Sequence, residues 1–264
     1  MIHYSVLGSG SNGNSYLFRT KSSALLIDAG FSLKEIAKRI QQVGSTIEAV
    51  GGLCLTHLHP DHSRGAGVFA RRQKKPVWLH EKLVQTQDAE LLALAIPDDL
   101  LNGFVPGAPF TVGEFSITSF PTSHDSPFSV GFAIHVGGRQ ITVITDTGTI
   151  PVEAHALIQQ SDVLFMEANY DETMLLRGPY PPFLKKRIAG KQGHLSNNEV
   201  IELLNKCPPL PHAKLYFCHL SKVNNHPKVL AQECEKELQW KGSTTICHNG
   251  ELYEGYIERS KEKL

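Results

Sequence analysis

The stretch Leu53-Cys-Leu-Thr-His-Leu-His-Pro-Asp-His62 decides the reading of this chain. An apolar run ends in the pattern H-x-H-x-D-H. In extended chain, side chains at i and i+2 share a face, so His57 and His59 can converge on one cation. Pro60 then turns the chain, and Asp61 and His62 open the next helix, aimed at a second cation beside the first. Imidazole nitrogens with carboxylate oxygens suit Zn²⁺, Mn²⁺ or Fe²⁺. The chain carries 13 histidines in 264 residues. With that supply, chance would produce the pattern in roughly one such chain in a thousand, so surface histidines beside a turn are the weaker explanation.

Four ligands do not complete two metal sites, and three later strand ends offer the rest. They are His124 in Pro121-Thr-Ser-His-Asp125, Asp146 in Ile144-Thr-Asp-Thr-Gly148 and His219 in Tyr216-Phe-Cys-His-Leu-Ser221. Each has a bland reading by itself: a loop histidine, a turn or helix-capping carboxylate, a core histidine. In series with the first motif they read as ligands.

Around these motifs, short apolar runs rich in β-branched residues alternate with Gly and Asn punctuation. The pattern predicts strands over 2–7, 14–19, 24–28, 51–56, 77–79, 109–112, 114–120, 130–136, 139–145, 162–166 and 213–218. Amphipathic periodicity predicts helices over 32–43, 62–73, 151–160, 196–206 and 227–240. Hairpin signals, such as Gly137-Gly138, mix with β-helix-β stretches. That mixture fits an α/β (α+β) protein with two mixed β-sheets packed face to face and helices outside. No linker or low-complexity tract interrupts the chain, so residues 1–264 are expected to form one domain.

Composition sets outer bounds. With 41% hydrophobic and 20% charged residues, the chain has the balance of a soluble globular enzyme. The formal net charge is zero, so bulk electrostatics announces no polyanionic partner, although a local basic patch can sit on a neutral protein. The five cysteines are scattered and form no C-x-x-C pair, which points to a reducing, cytoplasmic setting. Met1-Ile-His-Tyr-Ser-Val-Leu7 reads as a strand, with no basic leader and no long apolar run, so neither export nor a membrane partner is expected. Nothing in the sequence signals an oligomeric state.

Taken together, the motifs resemble the metallo-β-lactamase superfamily from the N-terminus to about residue 250. The resemblance implies a four-layer αββα sandwich with two divalent metal ions at one edge of its sheets. It assigns His57, His59 and His124 to one ion and Asp61, His62 and His219 to the other, with Asp146 bridging. Asp61 counts as a catalytic group as well as a ligand.

Two further segments suggest the branch. Leu164-Phe-Met-Glu-Ala-Asn169 places Glu167 at a strand end, and Gln192-Gly-His-Leu-Ser-Asn-Asn198 places His194 just before a helix. Both are similar to segments of tRNase Z-type phosphodiesterases, which implies that His194 donates a proton to the leaving oxygen and Glu167 orients it. A phosphodiester leaves as a poor alkoxide, so a positioned acid is useful chemistry in its own right. The bland readings are a neighbour of the helix N-terminus for His194 and a surface carboxylate for Glu167.

A fuller resemblance is to the YycJ/WalJ group. It rests on Leu7-Gly-Ser-Gly-Ser-Asn-Gly-Asn-Ser-Tyr16, Asp28-Ala-Gly30, Gly193-His-Leu-Ser-Asn197 and His219-Leu-Ser-Lys-Val-Asn-Asn225. That group implies a manganese-dependent 5′-to-3′ exonuclease acting on double-stranded DNA, with a metal-bridged hydroxide attacking phosphorus. No stretch is long enough for a β-CASP insertion or a tRNase Z exosite arm, which disfavours RNA processing. Other readings remain at this point: a tRNase Z-like RNA-processing nuclease, a glyoxalase II- or lactonase-type hydrolase, and a metal-binding regulatory protein without turnover.

Candidate substrate contacts are Asn12 and Asn14 in the glycine-rich opening loop, and Ser221, Asn224 and Asn225 after the last ligand. A tight turn explains the glycine-rich loop about as well. Lys185, Lys186 and Arg187 lie with Arg177 and Lys191 in a Pro-rich, acid-free loop interleaved with Tyr180 and Phe183. Cations meet phosphates and exposed aromatic rings stack on bases, so this loop is the candidate nucleic-acid groove. Arg71, Arg72, Lys74 and Lys75 are better explained as favourable charge at a helix C-terminus.

Overall fold

The computed structural model describes residues 1–260, so the last four residues of the expected 1–264 domain lie outside the described part. Six strands come first: β1 (Ile2–Gly8), β2 (Ser15–Arg19), β3 (Ala24–Ile27), β4 (Val50–Cys54), β5 (Val77–His80) and β6 (Leu101–Phe104). Seven more build a second sheet: β7 (Pro109–Val112), β8 (Phe115–Pro121), β9 (Val130–Val136), β10 (Arg139–Ile144), β11 (Val163–Glu167), β12 (Lys214–Cys218) and β13 (Ser243–Ile246). The last strand, β14 (Tyr253–Ile257), returns to the first sheet.

The strand orders are β14-β1-β2-β3-β4-β5-β6 and β13-β12-β11-β10-β9-β8-β7. Both sheets are mixed. β3 to β6 run parallel while β14, β1, β2 and β3 alternate. In the second sheet β10 to β13 run parallel and β7 to β10 alternate. The β9–β10 hairpin closes on Gly137 and Gly138 at φ +55° and +68°, the left-handed pair that a tight two-residue turn demands.

The helices are α1 (Leu33–Gln42), α2 (Pro60–Ser63), α3 (Ala66–Gln73), α4 (Glu81–Thr86), α5 (Ala89–Leu94), α6 (Val152–Gln159), α7 (Glu172–Arg177), α8 (Pro182–Ile188), α9 (Asn197–Lys206) and α10 (Pro227–Glu237). Three apolar layers bind them to the sheets. Tyr4, Tyr16, Phe18, Phe132 and Phe165 pack between the sheets, and the Phe165 ring lies 5.4 Å from Tyr16 and 5.1 Å from Tyr216, centroid to centroid. Ile36 and Ile40 of α1 and Phe69 of α3 cover the first sheet. Ala154 and Ile158 of α6, Val200 and Leu204 of α9, and Leu230 of α10 cover the second. Burying each large apolar side chain contributes about 1.5–3 kcal/mol, and the product is the four-layer αββα sandwich. No helix of the described residues is long and apolar enough to cross a membrane.

Several local expectations are corrected. β6, β13 and β14 are absent from the pattern reading. β13 and β14 are half-exposed, which mutes the apolar alternation that would announce them. The helix expected over 62–73 breaks into α2 and α3 at Arg64-Gly65. Gly65 donates its N–H to Ala29 O at 2.8 Å, and a Cβ there would meet Phe31 O at 2.3 Å, so the chain is pinned against the 29–31 loop. The basic stretch read as a loop begins at the last residue of α7 and contains α8. Pro182 sits in the first turn of α8, where the missing N–H costs nothing.

Candidate metal centre

Strand ends deliver every candidate ligand to one edge of the sandwich. His57 and His59 follow β4, with Asp61 and His62 on α2; His124 follows β8, Asp146 follows β10 and His219 follows β12. The ligand atoms of His57, His59 and His124 all lie within 4.8 Å of one another, as do those of Asp61, His62 and His219, and of His57, His62 and Asp146. His124 Nε2 stands 3.2 Å from His59 Nδ1. Two nitrogens bound tetrahedrally to one zinc-sized cation stand about 3.3 Å apart, so the spacing fits a shared ion. Asp146 lies between the two groups, with Oδ2 3.1 Å from His62 Nε2 and Oδ1 3.7 Å from His124 Nε2 and 3.5 Å from His219 Nε2.

What lies behind the ligands tests whether a metal belongs here. His62 Nδ1 meets Asp28 Oδ2 at 2.7 Å, His57 Nδ1 meets Thr56 Oγ1 at 2.9 Å, and His124 Nδ1 meets Gly193 O at 3.1 Å. Thr56 Oγ1 in turn bonds Asp28 Oδ2 at 2.9 Å. Each outer ring nitrogen is thus occupied by an acceptor, which leaves the inner nitrogen with its lone pair toward the cluster. The inner Nε2 atoms of His57 and His219 are buried without a hydrogen-bond partner. Buried polar atoms are rarely left so, and here they point to a divalent cation as the partner.

The electrostatics agree. Burial would raise the Asp146 pKa, but His219 and His62 outweigh it and hold the carboxyl well below its usual range. Burial also works against charge on His62, yet Asp146 and Asp28 outweigh it and raise its pKa to about 10. Burial, assisted by His62, pushes His57 well down. This is a site built around positive charge. Asp28, Asp146 and His219 also hold φ of +59°, +56° and +55°, a left-handed conformation that costs of order 1–3 kcal/mol each and concentrates where function needs it.

Glu167 closes β11, fully buried. Its Oε1 accepts from Thr147 N at 2.8 Å and Leu195 N at 3.2 Å, and its Oε2 faces His194 Nδ1 at 3.1 Å and His219 Nδ1 at 3.6 Å. Asp146, Glu167, His194 and His219 could also offer ligand atoms within 4.8 Å. Glu167 is committed to three hydrogen bonds, however, and faces His219 as well as His194, so it serves as the carboxylate behind two histidines. His194 keeps its other nitrogen for the cavity. Burial would raise the Glu167 pKa, but the His194 and His219 rings outweigh it and lower it.

The open space above the cluster is a cavity of about 180 Å³ whose lining includes His59, Asp61, His124, Asp146, His194 and His219. Ser221 and Arg187 line it too, as does Tyr180 of the candidate groove, together with Ser11, Asp125 and Asn169, which the sequence reading did not assign. Asn12 and Lys186 are exposed and outside the lining, and Lys185 is half-buried outside it, its Nζ donating to Leu176 O at 2.6 Å. Asn14 is buried beneath the ligands: its Oδ1 accepts from Gly10 N at 2.8 Å and its Nδ2 lies 2.9 Å from His62 Nε2. Asn224 and Asn225 are buried as well, and Asn225 Nδ2 donates to Ala168 O at 2.8 Å. Asn14 and Asn225 are thus placed as supports beneath the site, whereas both amide atoms of Asn224 are buried without a partner, and none of the three lines the cavity. Asp28 and Thr56 stand inside quoted motifs, but only the fold shows that they back the histidines.

The model of the family described as "Beta-lactamase superfamily domain" matches residues 24–220. Exodeoxyribonuclease YycJ of Bacillus anthracis is 34% identical over 241 residues, 91% of this chain and 90% of the relative. Exodeoxyribonuclease WalJ of Streptococcus pneumoniae serotype 2 is 32% identical over 222 residues, 84% of this chain and 82% of the relative. Among solved structures, the metallo-beta-lactamase fold protein YhfI from Bacillus subtilis superposes with a TM-score of 0.71 at 19% identity, covering 96% of this chain and 99% of its own. The short form of human tRNase Z gives a TM-score of 0.62 at 16% identity, over 98% and 99%. At such identities the two structures speak for the fold alone.

Proposed function

We propose that this chain, which belongs to the β-lactamase superfamily, is a metal-dependent nuclease that degrades double-stranded DNA from a 5′ end, in the 5′-to-3′ direction. The observation that carries the reading is the His194–Glu167 pair at 3.1 Å, set against the ligand cluster inside one cavity. The kinship with two exodeoxyribonucleases supports DNA as the substrate.

The residues divide the work. His57, His59 and His124 would hold one divalent ion and Asp61, His62 and His219 a second, with Asp146 shared; manganese and zinc both suit this nitrogen–oxygen set. Bound cations supply Lewis-acid stabilisation of phosphoryl charge and acidify water. Glu167 fixes the His194 ring through Nδ1, and His194 gives a proton from Nε2 to the departing 3′-oxygen. Arg187 and Ser221 reach the same cavity, where they meet phosphate oxygens. The chain works as one unit, and its five free cysteines suit the reducing cytoplasm.

The test is metal-stripped protein on linear duplex DNA, 5′-phosphorylated and labelled at one end, with Mn²⁺ or Zn²⁺ restored and His57→Ala as control. Mononucleotides released from the 5′ end and lost in the variant support the reading. Absence of cleavage with either metal rejects DNA as the substrate. RNA precursors and thioesters then separate the tRNase Z-like and glyoxalase-type alternatives, and metal uptake without turnover on any substrate marks a regulatory protein.

A further inference from the structure

The loop that carries His124 also carries Phe128, and Phe128 is the most conspicuous side chain near the metal cavity that the chemistry above leaves unused. Its φ is +55°. For a bulky residue this is a true outlier, since an aromatic side chain has no local hydrogen bond to offset the clash of a left-handed backbone. The flanks impose it. Ser126 and Ser129 are buried, Ser129 O accepts from Thr122 N at 3.0 Å, and Val130 N donates to Thr56 O at 3.0 Å. Held on both sides, the segment turns a large apolar ring outward, leaving it 40% exposed.

The ring is backed by neighbours yet stays open to solvent. His80 lies 5.0 Å away, centroid to centroid, at an interplanar angle of 31°, and Lys82 Nζ stands 5.6 Å over the ring. Together Phe128 and His80 line a cleft of about 450 Å³ that also takes in Thr122 and Gln192. The Thr122 hydroxyl is buried there without a partner. The cleft and the metal cavity share His124 and Asp125 in their linings, so the Phe128 ring adjoins the metal cavity across Asp125. Strain that the surroundings over-determine is the kind kept for a ligand contact.

We infer that Phe128 is the stacking platform of a nucleobase subsite, which takes the base of a nucleotide adjoining the phosphodiester held at the metal centre. Every base has a π-face, so one ring serves any sequence, as a non-specific exonuclease requires. Gln192, exposed in the same cleft, offers hydrogen bonds to the base edge, and Lys82 adds a cation for the neighbouring phosphate. The inference rests on the nuclease reading and adds where the substrate strand runs.

The experiment crosses Phe128→Ala with oligonucleotide duplexes in which one base on either side of the bond to be cut, in turn, is replaced by an abasic site. For the wild type, removing the base that occupies the subsite lowers kcat/KM by about tenfold. Phe128→Ala loses the same factor on the intact duplex and discriminates no further against the abasic one, while Phe128→Tyr, which keeps the ring, restores the discrimination. If the two losses multiply at both positions, the ring does not meet a base and the subsite is wrong, although the nuclease reading stands. If the wild type hydrolyses neither duplex, the nuclease reading falls and the subsite falls with it.

Discussion

Asp28 Oδ2 lies 2.7 Å from His62 Nδ1, with both side chains fully sealed from solvent, and this contact decides which nitrogen of His62 faces the cation site. Asp28 also accepts from Thr56 N at 2.8 Å and from the Thr56 hydroxyl that meets His57. One carboxylate therefore orients a histidine of each ligand group.

Asp28→Ala should weaken metal binding by about 10–100-fold although Asp28 is no ligand in this arrangement, because His62 loses the acceptor that fixes its tautomer and the Thr56 hydroxyl that meets His57 loses its anchor. Chelator competition measures this without reference to activity. An affinity within twofold of wild type would remove Asp28 from the site.

His194→Ala is expected to lower kcat on DNA by about 10²–10⁴-fold at unchanged metal content, the range for loss of a positioned proton donor. Glu167→Gln should give a smaller loss and also slacken His219, whose Nδ1 lies 3.6 Å from the same oxygen. A His194→Ala enzyme with raised KM and unaltered kcat would make His194 a binding group and refute the donor role.

The pH dependence of stability should differ between metal-free and metal-saturated protein. Burial opposes charge on His62 and His219, but Asp146 leads the groups that outweigh it and raise both, His62 to about 10. In metal-free protein this stabilisation is complete below the unfolded value near 6.5 and is lost as pH rises toward 10. The slope approaches about 1.4 kcal/mol per pH unit for each histidine. Asp146 and Glu167, whose pKa values are depressed, contribute in the opposite sense, above the ordinary carboxylate range, and lose that contribution only in acid. With metal bound the histidines are unprotonated in both folded and unfolded states above about pH 7, so the slope should vanish. Thermal unfolding between pH 7 and 10 shows the difference, and parallel curves would mean that these histidines do not hold the ion.

How much of this was legible in sequence depends on how far apart in the chain the partners lie. His57, His59, Asp61 and His62 are local, and strand geometry plus one turn is enough to aim them. His124, Asp146 and His219 could be found because each ends an apolar run. The 28–62 and 14–62 contacts could not, since no periodicity links a strand-end aspartate or a glycine-loop asparagine to a histidine dozens of residues away. Helix phase explains another gap. Lys185, Lys186 and Arg187 are consecutive, but successive residues on α8 are turned by about 100°, and only Arg187 reaches the cavity lining. The edge strands β13 and β14 escape the sequence pattern because half-burial blurs the period that a central strand displays.

That phase leads to a last expectation. Arg187 is held at the cavity mouth by an ion pair from its Nε to Asp125, and the Asp125 carboxylate lies 3.5 Å from both His59 Nε2 and His124 Nε2. Burial would raise the Asp125 pKa, but the bond to Arg187 and the His124 charge outweigh it and lower it, so the pair is charged at neutral pH. Its guanidinium is the cation best placed to take a phosphate oxygen of a strand entering the cavity, with the fork geometry that suits phosphate. Arg187→Ala should raise KM for duplex DNA several-fold, leave metal content intact, and reduce the slope of log affinity against log salt by about one. Lys186→Ala, on the neighbouring helix phase, should leave KM within about twofold, in line with an exposed charge that makes no fixed contact. Measuring both across a salt series separates a directed phosphate contact from a diffuse basic surface. Equal effects from the two substitutions would show that α8 attracts DNA only through its summed charge.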